Sequence, residues 1–83
     1  SLSYIYSKKN ELSNAIKYQR KAVNTSNSLN FKAENMIILA YLYLANKDSE
    51  KTKEIVKEIR DDFPKNPLIS QKIDELLGQM MSK

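Results

Sequence analysis

Residues Met36 to Ala45 read Met-Ile-Ile-Leu-Ala-Tyr-Leu-Tyr-Leu-Ala. No charge interrupts this run, and its only polar groups are the hydroxyls of Tyr41 and Tyr43. It is too short to cross a bilayer, which takes about 20 apolar residues. By composition alone it could be a buried strand. Helix-compatible residues extend it back through Glu34, Ala33, Lys32 and Phe31 without a Gly or Pro, and that length argues for a helix. A helix apolar on nearly every side has to be packed on several sides. The sequence therefore predicts a central helix from Leu29 to Ala45 with the other segments laid around it.

The flanks supply those segments. Leu2, Tyr4, Ile5 and Tyr6 mark a first helix, with Asn10 predicted as the turn and the N-cap of the next. Leu12, Ala15, Ile16, Gln19, Ala22 and Val23 form one face of a second helix, running to about Thr25. Thr25 to Ser28 is a run of turn formers. After the central helix, Asn46 can take the left-handed conformation of a helix stop, and Asp48 or Ser49 can cap the next start. Thr52, Ile55, Val56, Ile59 and Phe63 stripe a fourth helix from about Glu50 to Asp62. Its outer face alternates charges at ion-pair spacing. Pro64 ends it, and Asn66-Pro67 restarts the chain as a cap followed by proline at the first helical position. Ile69, Ile73, Leu76, Leu77 and Met80 stripe the last helix. One Gly and two Pro in 83 residues suit long helices, and no strand-type alternation is present.

Sliding the chain on itself by 37 positions pairs Leu2 with Leu39, Ser3 with Ala40, Tyr6 with Tyr43, Ala15 with Thr52, Gln19 with Val56 and Ala22 with Ile59. These residues resemble the tetratricopeptide repeat family. Leu2, Ser3 and Tyr6, then Leu39, Ala40 and Tyr43, match the leucine, small residue and tyrosine of its first helix. Ala15 and Ala22 match its second-helix alanines, and Pro64 its closing proline. Thr52, Ile59 and Asn27 depart from the pattern, and the period exceeds the usual ~34. The resemblance implies an all-α, right-handed superhelix of antiparallel helix-turn-helix repeats with five helices in one domain, residues 1–83. Repeat one is 1–28, repeat two 29–65, and a capping helix covers 66–81.

The same resemblance implies a protein-protein interaction scaffold whose concave groove receives a peptide or helix of a partner. Carried over by position, the groove residues are Tyr4, Ser7, Lys8, Glu34, Ile37, Ile38, Tyr41 and Leu44, with Ala45 beside them. The alternative for Ile37, Ile38, Tyr41 and Leu44 is that they are core. Lys8 would give the groove a preference for acidic partners. A structural spacer within a longer solenoid is the second functional reading, with neighbouring repeats of the parent chain as its partners.

Other chemistries have little to stand on. The chain has no His and no Cys, the residues that most often serve as metal ligands, nucleophile-base pairs and proton shuttles near neutral pH. Its sole glycine, Gly78, makes no phosphate loop. Glu54, Glu58, Asp61 and Asp62, interleaved with lysines, read as a solvated face. The expectation is no enzyme and no cofactor. Net charge is +4, and Lys8, Lys9, Lys17, Arg20, Lys21 and Lys32 concentrate the positive residues in the first half. Tyr4, Tyr6 and Tyr18 interleave with them, which keeps a basic nucleic-acid face as the weakest alternative. No membrane span is expected in this segment. The chain does not begin with Met, and Leu2 to Tyr6 reads like the middle of a helix, so a fragment of a longer protein is expected. Composition leaves the compartment open, with the cytoplasm favoured.

Overall fold

The computed structural model describes the backbone from Leu2 to Met81 and side chains from Asn10 to Met81. The described chain is all helical, in four helices: α1 (Leu2–Asn24), α2 (Leu29–Ala45), α3 (Ser49–Asp62) and α4 (Pro67–Met81). Each later helix starts where capping chemistry allows. The Ser28 hydroxyl accepts from the Phe31 N–H at 3.2 Å, and Asp48 Oδ1 from the Lys51 N–H at 3.1 Å. Asn66 Oδ1 accepts from the N–H groups of Leu68 and Ile69, at 3.1 and 3.2 Å. Each bond satisfies a donor that the helix start would otherwise leave orphaned. At the α2–α3 turn the left-handed residue is Lys47, with φ 60°, rather than Asn46, with φ −80°.

The predicted break at residues 9 to 10 is overturned. α1 runs through Asn10 as one helix, so the described chain has four helices and not five. Between Leu2 and Asn24 there is no Gly or Pro, and one Asn costs a helix well under 1 kcal/mol relative to Ala. A break would orphan four N–H and four C=O groups. Comparison with the α2–α3 turn shows what is lacking. Thirty-seven positions before the capping Asp48 stands Glu11, which is not among the residues that cap helix starts well.

α2 packs against α1, α3 and α4, as expected of the central helix. Leu39, at 0% exposure, sits in the middle of a core that takes in Ala33, Met36, Ala40 and Tyr43 of α2, Ile55, Val56 and Ile59 of α3, and Ile69, Ile73 and Leu76 of α4. Fully burying a Leu or Ile of this kind contributes about 1.5–3 kcal/mol. The stripes read from the sequence in α3 and α4 lie on this core. In α1 only Val23 is fully buried; Leu12, Ala15, Ile16, Gln19 and Ala22 are half-buried. The buried hydroxyl of Thr52 is satisfied, donating to the Asp48 carbonyl at 2.8 Å.

Polar contacts fix the register. Gln19 Nε2 donates to the Asn35 carbonyl at 2.9 Å and to Asn35 Oδ1 at 3.1 Å. Asn35 Nδ2 donates to Ser26 Oγ at 3.0 Å, and Ser26 Oγ to the Ala22 carbonyl at 2.6 Å. Gln19 and Asn35 are equidistant from Asn27, so α1 and α2 run antiparallel. Lys32 near the start of α2 meets Asp62 at the end of α3, at 3.7 Å, so that pair is antiparallel as well. Arg60, late in α3, reaches Asp74 in α4 at 3.8 Å.

Candidate partner-binding groove

α1 and α3 flank α2, and α4 lies along another side of it. A seam runs where α2 meets α4. At its first end Asn30, Glu34 and Ile37 of α2 face Asn66, Leu68 and Lys72 of α4 across a cleft of ≈ 240 Å³. Next to it Glu34, Ile37, Ile38 and Lys72 line a smaller hollow of ≈ 210 Å³. At the other end Leu44, Lys47, Ser49, Gln79 and Met80 line a hollow of ≈ 290 Å³.

One side of α2 is left without a neighbour. Phe31 is 63% exposed and Ile38 47% exposed, and Ala45 is exposed too. They recur every seven residues, with Glu34 and Tyr41 three residues after Phe31 and Ile38. This is the spacing of a single stripe along a helix. The stripe exists because α2 is apolar on nearly every side while its neighbours cover only part of it. Exposed single hydrophobic residues are ordinary, but an aligned set beside a cleft marks a contact surface.

Of the groove residues expected from the sequence, Glu34, Ile37 and Ile38 come together at the first end of the seam, and Leu44 lines the other end. Ile37, Tyr41 and Leu44 are half-buried and pack against the core, so they are shared between core and surface. The side chains of Tyr4, Ser7 and Lys8 lie outside the described residues. Their backbone continues the axis of α1. Counted outward from Asn27, the last residue of α2, Ala45, is level with residue 9 of α1, so residues 2–8 run past the end of α2 instead of folding back beside it.

Sequence reading missed Phe31, Leu68 and Lys72. Leu68 is 63% exposed and stands one residue ahead of the α4 stripe, which starts at Ile69. An apolar residue out of phase with its own stripe was the available signal. Of the basic cluster, Arg20 is paired with Glu58 at 3.7 Å and Lys32 with Asp62. Two of its cations are therefore engaged by carboxylates of α3, while Lys17 and Lys21 are exposed.

Among the described residues no group of acidic side chains is disposed to hold a metal ion, and no helix is long and apolar enough to cross a membrane. Comparison with protein-family models, curated proteins and solved structures finds no match for this chain.

Proposed function

We propose that this chain is a tetratricopeptide-like helical-repeat scaffold that holds an apolar-faced helix or peptide of a partner protein. The ligand lies along the open stripe of α2, beside the α2–α4 seam. The observation that carries this reading is the alignment of Phe31, Ile38 and Ala45 on the one side of the central helix that no other helix covers. The internal repeat and the antiparallel α2–α3 hairpin support the repeat-scaffold part of the reading.

A helix partner would supply apolar side chains at i, i+3 and i+7 to this stripe, the usual way an amphipathic helix docks in a groove. Tyr41 adds rigid contact area and a hydroxyl, which is why Tyr is enriched at interfaces. The seam presents Glu34 and Lys72, one charge of each sign. Apolar anchors therefore carry the affinity, and the acidic preference expected from Lys8 has no counterpart in the described seam.

Selection from a displayed library of amphipathic helical peptides, followed by titration of the best binder, tests the proposal. Backbone resonances of Glu34, Ile38, Tyr41 and Lys72 should shift. Ile38→Glu should cost tenfold or more in Kd, equivalent to about 1.4 kcal/mol, and Tyr41→Ala about 1 kcal/mol or more, with the melting of the free domain little changed by the first. Shifts confined to α1 or to the outer face of α3, or an Ile38→Glu variant that binds as well as the parent, would sink the groove and favour a spacer within a longer solenoid.

A further inference from the structure

We propose that the chain forms a two-fold dimer through α1, two copies of the helix pairing antiparallel about Asn10. The starting observation is that α1 carries one repeat unit drawn out straight. In the second unit the chain turns at Lys47, and α2 and α3 pair residue for residue about it: Lys32 and Asp62, equally far from Lys47 on either side, meet at 3.7 Å. Shifted by the repeat, that centre falls on Asn10. Residues 2–9 correspond to the half of α2 that contributes Leu39, Ala40 and Tyr43 to the core, and residues 11–24 correspond to α3.

The unit-one counterparts of the α3 core are short of cover. Thr52, Val56 and Ile59 are buried, whereas Ala15, Gln19 and Ala22 are only half-buried. Ile55 is 1% exposed, and its counterpart Tyr18 is 70% exposed. Within one copy nothing can close this face, because residues 2–8 run past the end of α2. A second copy closes it. With the two-fold axis at Asn10, residues 2–9 of each copy lie along residues 11–18 of the other. Leu2 then stands level with Tyr18, Ile5 with Ala15, and Lys9 with Glu11 of opposite charge. The arrangement is an exchanged form of the α2–α3 hairpin. Such exchange is a low-cost route to a symmetric dimer when the turn within one chain is not made. It uses no residue of the α2–α4 seam.

The absence of cysteine in the chain gives a direct test. On the whole chain, light scattering and sedimentation should show a mass approaching twice 9.6 kDa as concentration rises. An Asn10→Cys variant should oxidise to a covalent dimer about tenfold or more faster than a Glu50→Cys control at equal concentration, since the axis holds the two thiols together. Tyr18→Glu should shift the mass to that of one chain while helicity by circular dichroism is kept. Asn10→Gly, which eases a turn within the chain, should do the same. A single-chain mass at every concentration overturns the dimer, as does an Asn10→Cys variant that crosslinks no faster than the control. A dimer that survives Tyr18→Glu also overturns it, because the contact would then lie elsewhere.

Discussion

Ala40 and Ala45 share a helix and a residue type but not an environment. Ala40 is 2% exposed in the core, and Ala45 is exposed on the open stripe. Ala40→Leu forces extra methylenes into a closed contact and should cost ~1–3 kcal/mol, whereas Ala45→Leu should change stability by less than that. Denaturant melts of the two variants check this, and the order of their midpoints is the result to read. Gly78 makes a second case. A Cβ built there meets nothing within 4 Å, and its φ is not positive, so neither packing nor backbone conformation calls for glycine. Gly78→Ala should stabilise by up to about 1 kcal/mol, through the smaller entropy loss of Ala in a helix. No gain in the melt would show that α4 is frayed around this position.

At the scale of elements, the α2–α3 turn carries both a cap and a strained residue. Asp48→Ala removes the acceptor for the Lys51 N–H and should cost about 0.5–2 kcal/mol. Lys47→Gly relieves a side chain held at φ 60° and should gain up to about 1 kcal/mol. Thermal melts of both variants should move in opposite directions. Asp48, Asn66 and Pro67 were legible in the sequence because capping and proline rules act within a few residues, and so α2, α3 and α4 fall close to their predicted spans. The core stripes of α3 and α4 were legible for the same local reason. The turn at Asn10 was misread because asparagine permits a turn without requiring one, and the absence of a capping residue at Glu11 decided the outcome. The seam was only half legible. Glu34, Ile37 and Ile38 came from repeat register, but Leu68 and Lys72 belong to a helix 30 or more residues away in the chain. Only tertiary packing brings them alongside.

The molecule measures 45 × 31 × 17 Å, and its thin dimension leaves room for little more than one helix stacked on another. Its accessible surface is 6192 Å², against about 5,100 Å² for a compact chain of this mass. The excess fits an open stripe on α2 and an uncovered face on α1. Protection should be graded to match. Amides of Leu39 to Tyr43, in the helix that touches all three others, should exchange slowest and report global unfolding. Faster exchange there than in the middle of α3 would mean that α2 is not the centre of the cooperative unit. α2 has a further consequence, because its inner side is the core and its outer side is the stripe. A ligand seated on Ile38 lies on the same helix turn as Leu39. Anything bound there engages the native state and not the unfolded chain, so the melting temperature must climb with ligand concentration by mass action, by about 2.7 kcal/mol at a hundredfold excess over Kd. The domain would then report its own occupancy as heat resistance, and an unknown partner could be sought by thermal shift without any label.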